Sequence, residues 1–131
     1  MALQFDVTTR NNFLTQIVND APSGYLIVYS GTPPADVASS LAGTTALVAL
    51  PLSATIGTVS GGVMTFNAIT QTNAAASGTG SFWRIANAAK NTYYVQGTAG
   101  TAGANINFTS VDFVSGSPVV VSSLSFTAPG A

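Results

Sequence analysis

The sequence predicts a mainly-β domain, an antiparallel β-sandwich or jelly-roll-like barrel with one short N-terminal helix. Three observations carry that expectation. About eight short runs rich in β-branched and aromatic residues recur at regular spacing, separated by Gly, Pro, Ser and Asn. A single segment, near the start, has helical periodicity. Finally, Gly78–Ala86, GTGSFWRIA, holds the only tryptophan and alternates, so that Phe82 and Arg84 point to one face and Trp83 and Ile85 to the other. A strand with large rings on both faces is covered on both, which places it centrally in a sheet.

Each element follows from local chemistry. Ala2–Val7 alternates as Leu3, Phe5 and Val7 against Ala2, Gln4 and Asp6, the pattern of a short strand or an extended arm over residues 1–8. A helix is expected from Thr9 to Asp20, capped by Thr8 or Thr9, with Phe13, Leu14, Ile17 and Val18 on its inward stripe. Pro22 and Gly24 stop it. Gly24–Ser30, GYLIVYS, is the strongest strand signal, and Pro33-Pro34 ends that strand by removing two ladder donors. Asp36–Gly43 reads as loop. Thr45–Ser53 resumes with Val48, Leu50 and Leu52 on one face, and Pro51 marks an edge strand.

Ala54–Gly62 reads as turn, Val63–Ile69 as strand and Thr70–Gly78 as loop. The GTGSFWRIA strand then forms a hairpin with Thr92–Gly97 across the polar turn Asn87–Asn91. Gly97, Gly100 and Gly103 predict a flexible loop. Ala104–Phe108 with Ile106 and Phe108 inward, Val111–Val114, and Val119–Thr127 with Val120, Leu124 and Phe126 on one side complete the strands. Residues 128–131 read as a flexible tail, and residues 1–131 as one domain.

Composition narrows function. Charged residues are 5% of the 131 residues, against about 25% in an average soluble protein, while hydrophobic residues reach 47%. Mean hydropathy is +0.42. The apolar runs fall far short of the roughly 20 residues of a spanning helix, and the richness in aromatic and β-branched residues argues against disorder. What fits is a globular domain with a neutral, polar surface, the kind of surface that lets copies associate. Arg10, Arg84 and Lys90 are scattered singly, with no patch for phosphates, so nucleic acid is not an expected partner. No basic n-region and apolar h-region open the chain, so classical secretion is not expected.

The chain contains no His, Cys or Glu, which removes most ligands for zinc or redox metals. Asp6, Asp20, Asp36 and Asp112 are isolated, without a D-x-D-x-D-G calcium loop or a carboxylate pair for acid–base work. A Ser-Lys nucleophile would have to use Lys90, which reads instead as a solvated turn lysine. Gly78-Thr79-Gly80 opens a strand and lacks the third glycine of a phosphate loop. No enzyme activity and no cofactor are expected. Arg84, if inward, needs partners, with Asp112 first and Asp36 second in the reading; its other role would be as an interface arginine beside Trp83.

Three stretches, GYLIVYSGTPP (residues 24–34), GTGSFWRIA (78–86) and YVQGTAGTAG (94–103), together resemble a family of small structural proteins of tailed bacteriophages. In that family an L-x-I-Y-S-G-T-x-P segment precedes a G-T-A-x-W-F-R-I-like strand and a V-x-G-x-x-G-x-x-G loop. The likeness runs from about Leu3 to Phe126. Phe82-Trp83-Arg84 stands where the family has an aromatic pair followed by arginine, and Gly80 where alanine is usual. The resemblance implies a virion protein made in the host cytoplasm, a capsid cement or decoration protein on the capsid surface whose partners are the major capsid protein and neighbouring copies of itself. Candidate interface residues are Leu3, Phe5, Trp83 and Arg84; no membrane partner is expected. The alternative is a tail or head-fibre module that binds a host receptor or glycan through stacking on Tyr25, Tyr29, Tyr93, Tyr94 and Trp83.

Overall fold

A computed structural model describes residues 5–20, 22–37, 39–67, 69–100, 106–107, 112–119 and 125–127. Leu3, the tail 128–131, the end of the glycine loop at 101–103, Phe108, Val111, Val120 and Leu124 lie outside them. In chain order the elements are α1 (Val7–Asp20), β1 (Tyr25–Ser30), β2 (Thr45–Pro51), β3 (Gly57–Ser60), β4 (Val63–Phe66), β5 (Thr72–Asn73), β6 (Gly78–Thr79), β7 (Phe82–Ala86), β8 (Tyr93–Gly100), β9 (Ile106–Asn107), β10 (Asp112–Phe113), β11 (Pro118–Val119) and β12 (Ser125–Thr127). The fold is mainly β, built from antiparallel pairings apart from the parallel β8–β9 ladder, with one helix, near the start, among the described residues.

The principal sheet runs β2-β1-β7-β8-β9, and β7 is its central strand, as the two-sided rings of Phe82 and Trp83 require. All five residues of β7 are buried. A smaller sheet, β12-β4-β3, faces it, and two short ladders, β10-β6 and β11-β5, tie the late chain to its middle. Pro51 ends the outermost strand of the principal sheet, where its missing donor costs no ladder bond.

The larger core lies on one face of the principal sheet. Leu26, Val28, Val48, Leu50, Trp83 and Ile85 meet Leu14 of α1 and Met64 and Phe66 of β4. Leu47 joins this core because β2 bulges there: Val28 pairs with Val48 but Tyr29 with Ala46, leaving Leu47 as the extra residue. Its carbonyl, out of the ladder, accepts from the amides of Ala75 and Ala76. A second register shift makes Tyr94 the extra residue opposite Ile85 and Ala86.

Several expectations need correction. The helix begins at Val7, because Asp6 is the cap: its carboxylate accepts from the Thr9 amide at 2.8 Å. Residues 7 and 8 therefore belong to α1 and not to an arm. The turn expected over Ala54–Gly62 contains β3, which forms a hairpin with β4 through Gly61 and Gly62, both at positive φ. A Gly-Gly pair between β-branched runs is the sequence signal for that turn. The loop expected over Thr70–Gly78 contributes β5 and the first residue of β6, two-residue strands paired with late segments. GTGSFWRIA is two strands, split at Gly80-Ser81, and Gly97–Gly100 continues β8 instead of opening a loop. Val119–Thr127 serves two ladders, β11 on β5 and β12 on β4.

Candidate interface site

The two faces of β7 hold the residues that the sequence singled out, and both are covered by the chain's own atoms. Trp83 is 1% exposed. Opposite it on β8 stands Gly97, which has no side chain, and the indole N–H donates to the carbonyl of Thr98 at 2.9 Å. The Phe126 ring stacks on the indole at 5.3 Å and meets Phe66 edge-on at 5.1 Å. Arg84 is likewise 1% exposed. Its guanidinium donates to Gln96 Oε1 and to the backbone carbonyls of Asp36 and Ser39. Gln96 in turn donates to the carbonyl of Pro34. This corrects the first expected partner: Asp112 accepts from the Thr79 hydroxyl, whereas Arg84 reaches the Asp36 segment through main-chain oxygens. Trp83 and Arg84, expected as interface residues, thus sit almost wholly inside the chain, with only the indole reaching the lining of a groove.

Around Arg84 the second face is aromatic. The guanidinium lies 5.1 Å from the Tyr93 ring centre, and Tyr29 stacks on Phe82 at 4.9 Å. Burial, and then the neighbouring Tyr93 hydroxyl, push the Tyr29 phenol well above its usual range despite the nearby Arg84 charge. It stays protonated and available as a hydrogen-bonding group.

Every charged side chain touches its own chain. Asp6 caps α1, Arg10 donates to the Phe5 carbonyl, and Asp20 accepts from Gln16. Asp36 accepts from Ser39, Arg84 holds the loop, Asp112 takes Thr79, and Lys90 lies 4.2 Å over the Tyr25 ring. Among the described residues the four aspartates do not cluster into a metal-binding group. No described helix is long and apolar enough to cross a membrane.

A few large apolar side chains also remain accessible. Phe5 is 40% exposed and Phe13 is 57% exposed. Phe13 forms one wall of a groove of about 820 Å³ between α1, β8 and β12, with Leu14, Ile17, Trp83, Tyr94, Val95 and Phe126. The groove is the feature that sequence reasoning missed. Phe13 was expected in the core, but at about 100° per residue it stands roughly 70° from the middle of the stripe it shares with Leu14, Ile17 and Val18. Tyr94 reaches the groove through the bulge on β8, which no residue type announces.

No protein-family model matches this chain, and no curated protein or solved structure matches it either.

Proposed function

We propose that this chain is a non-enzymatic structural protein of a bacteriophage virion, a cement or decoration protein on the outer capsid surface, held there by the major capsid protein and by neighbouring copies. One observation carries the reading: the charged side chains are few and all engaged internally, while Phe5, Phe13 and an apolar groove are left open. Such a surface neither repels a neighbour nor steers a charged ligand, and apolar area buried between subunits yields about 25 cal/mol per Å² against expansion of the shell. The resemblance of GYLIVYSGTPP, GTGSFWRIA and YVQGTAGTAG supports the same reading.

The receptor- or glycan-binding alternative calls for an exposed aromatic row. Trp83 and Tyr29 are buried instead, Tyr25 and Tyr93 carry a cation on their rings and Tyr94 is half-buried in the groove wall, which is not an exposed row, so the reading taken is cement. The test is occupancy on purified shells of a Leu3→Ser/Phe5→Ser chain, which leaves the Asp6 cap in place. Reduced occupancy supports the proposal; occupancy equal to the native chain removes Leu3 and Phe5 as anchors.

A further inference from the structure

The geometry points to the groove between α1, β8 and β12 as the seat for the N-terminal segment Met1–Phe5 of a second copy of this chain. The inference deepens the proposed function and rests on its reading of Leu3 and Phe5 as an arm; it adds the place where that arm lands.

The groove asks for a strand. On one side β8 is laddered to β7; on the other, among the described residues, pairing is confined to Ala99 and Gly100, which meet β9. Tyr94, Val95 and Gln96, ahead of that pairing, line the groove. Strand edges of this kind take up extended segments by main-chain hydrogen bonding, with side-chain pockets selecting the occupant. β8 carries neither Lys nor Pro, residues that commonly protect an edge. The pocket beside it is apolar, with Phe13, Ile17 and Phe126 on its walls and Asp20, already accepting from Gln16, as the one charged residue.

Met1–Phe5 fits those terms. It has no charged side chain, and it places Leu3 and Phe5 on one face of an extended chain. Five extended residues span roughly 17 Å, enough to run along the roughly 13 Å of β8 from Tyr93 to Gln96.

Reach decides in favour of a second copy. Phe5 is held at the start of α1, where its carbonyl accepts from Arg10 and the next residue caps the helix. The Arg10 guanidinium itself lies over Gly62, whose amide donates to Asn11, so that end of the helix is fastened to the β3–β4 turn. From Phe5, Leu3 reaches about 7 Å. Gln16, midway along the groove, stands nine residues beyond Val7, about 13 Å further down the axis. A disulfide needs Cα atoms within about 7 Å, which places Leu3 of the same chain out of range of Gln16.

The chain has no cysteine, so the test is direct. Leu3→Cys chains are mixed with Gln16→Cys chains, or with Thr58→Cys chains as an exposed control on β3, and oxidised; circular dichroism checks that each variant is folded. Seating predicts that the 3–16 disulfide dimer forms about tenfold or more faster than the 3–58 dimer, because docking raises the local thiol concentration. Equal rates overturn the proposal. So does an intrachain disulfide in the Leu3→Cys/Gln16→Cys double variant, which would put the arm in its own groove. Dimers that form although the chain ignores capsids would remove the virion reading and keep the seat; capsid binding without dimers would do the reverse.

Discussion

The two faces of the principal sheet are made by the same strands and are closed in different ways. On the α1 face, Leu26, Val28, Trp83 and Ile85 are covered by regular elements, and shape complementarity between apolar side chains is sufficient. On the other face, Ile27, Tyr29, Phe82 and Ala86 form a smaller cluster with Leu41. Its cover includes the irregular segment 31–44, which Arg84 and Gln96 hold by its carbonyl oxygens. An irregular segment carries backbone polar groups that must be satisfied wherever it is buried, so a cover of this kind needs donors supplied from the sheet beneath it. A buried arginine is suited to that task because its fork presents several donors to separate carbonyls.

If this contrast is right, the faces fail differently. Trp83→Ala removes the indole from the larger core, unstacks Phe126 and is expected to cost about 3–5 kcal/mol, read as a lower midpoint in denaturant with the whole domain unfolding together. Arg84→Ala is expected to cost about 2–4 kcal/mol by removing the guanidinium from the carbonyls of Asp36, which keeps the Ser39 amide, and Ser39. Its distinguishing mark is local: amide exchange accelerates in residues 35–41 more than in β1 or β7. Arg84→Lys does not restore protection, since an ammonium lacks the planar fork. Uniform loss of protection across both faces would break the comparison.

Gly80→Ala sharpens the α1-face account. A methyl at this position would lie 2.6 Å from the Phe113 ring and 3.1 Å from Val28, with Phe113 itself 8% exposed. About 1–3 kcal/mol of destabilisation is expected by chemical denaturation. The result bears on the family likeness too, because alanine is usual at that position there. Smallest is the contribution of Asp6. Its hydrogen bonds to Thr9 hold the carboxyl below its ordinary value of 3.8. A depressed carboxylate adds stability above its unfolded value and loses it as pH falls through the folded one. Native protein should therefore lose slightly more stability between about pH 5 and pH 3 than Asp6→Asn, which keeps a capping side chain without the charge.

The strands whose side chains face two covered sides were legible in the sequence, as were the helix and the hairpin around Asn87, whose side-chain oxygen accepts from the amides of Asn91 and Thr92. Composition and alternation report burial, and burial decides those elements. Of the two-residue ladders, β6, β10 and Val119 of β11 fall in runs that read as strands, whereas β5 read as loop and none of the pairings was legible. They exist because distant segments meet, and a pair such as Thr79 with Asp112 has no local pattern. Alternation rightly put Trp83 and Arg84 on a strand covered on both faces, and the added reading of both as interface residues fails: hot-spot residue types are also the residues that anchor an interior. Phe13 misled in the opposite sense, being apolar at the margin of a stripe. The groove needs the β8 bulge and the distant β12, so it emerges only in three dimensions.

The central claim is that this chain is held by a virion shell, and the most direct measurement is cryo-electron microscopy of particles that carry it. The account predicts its density on the outer capsid surface, between shell subunits, with the N-terminal segment of one copy reaching the α1–β8 groove of the next. Density confined to the tail or a fibre tip, or particles from which the chain is absent, would contradict it.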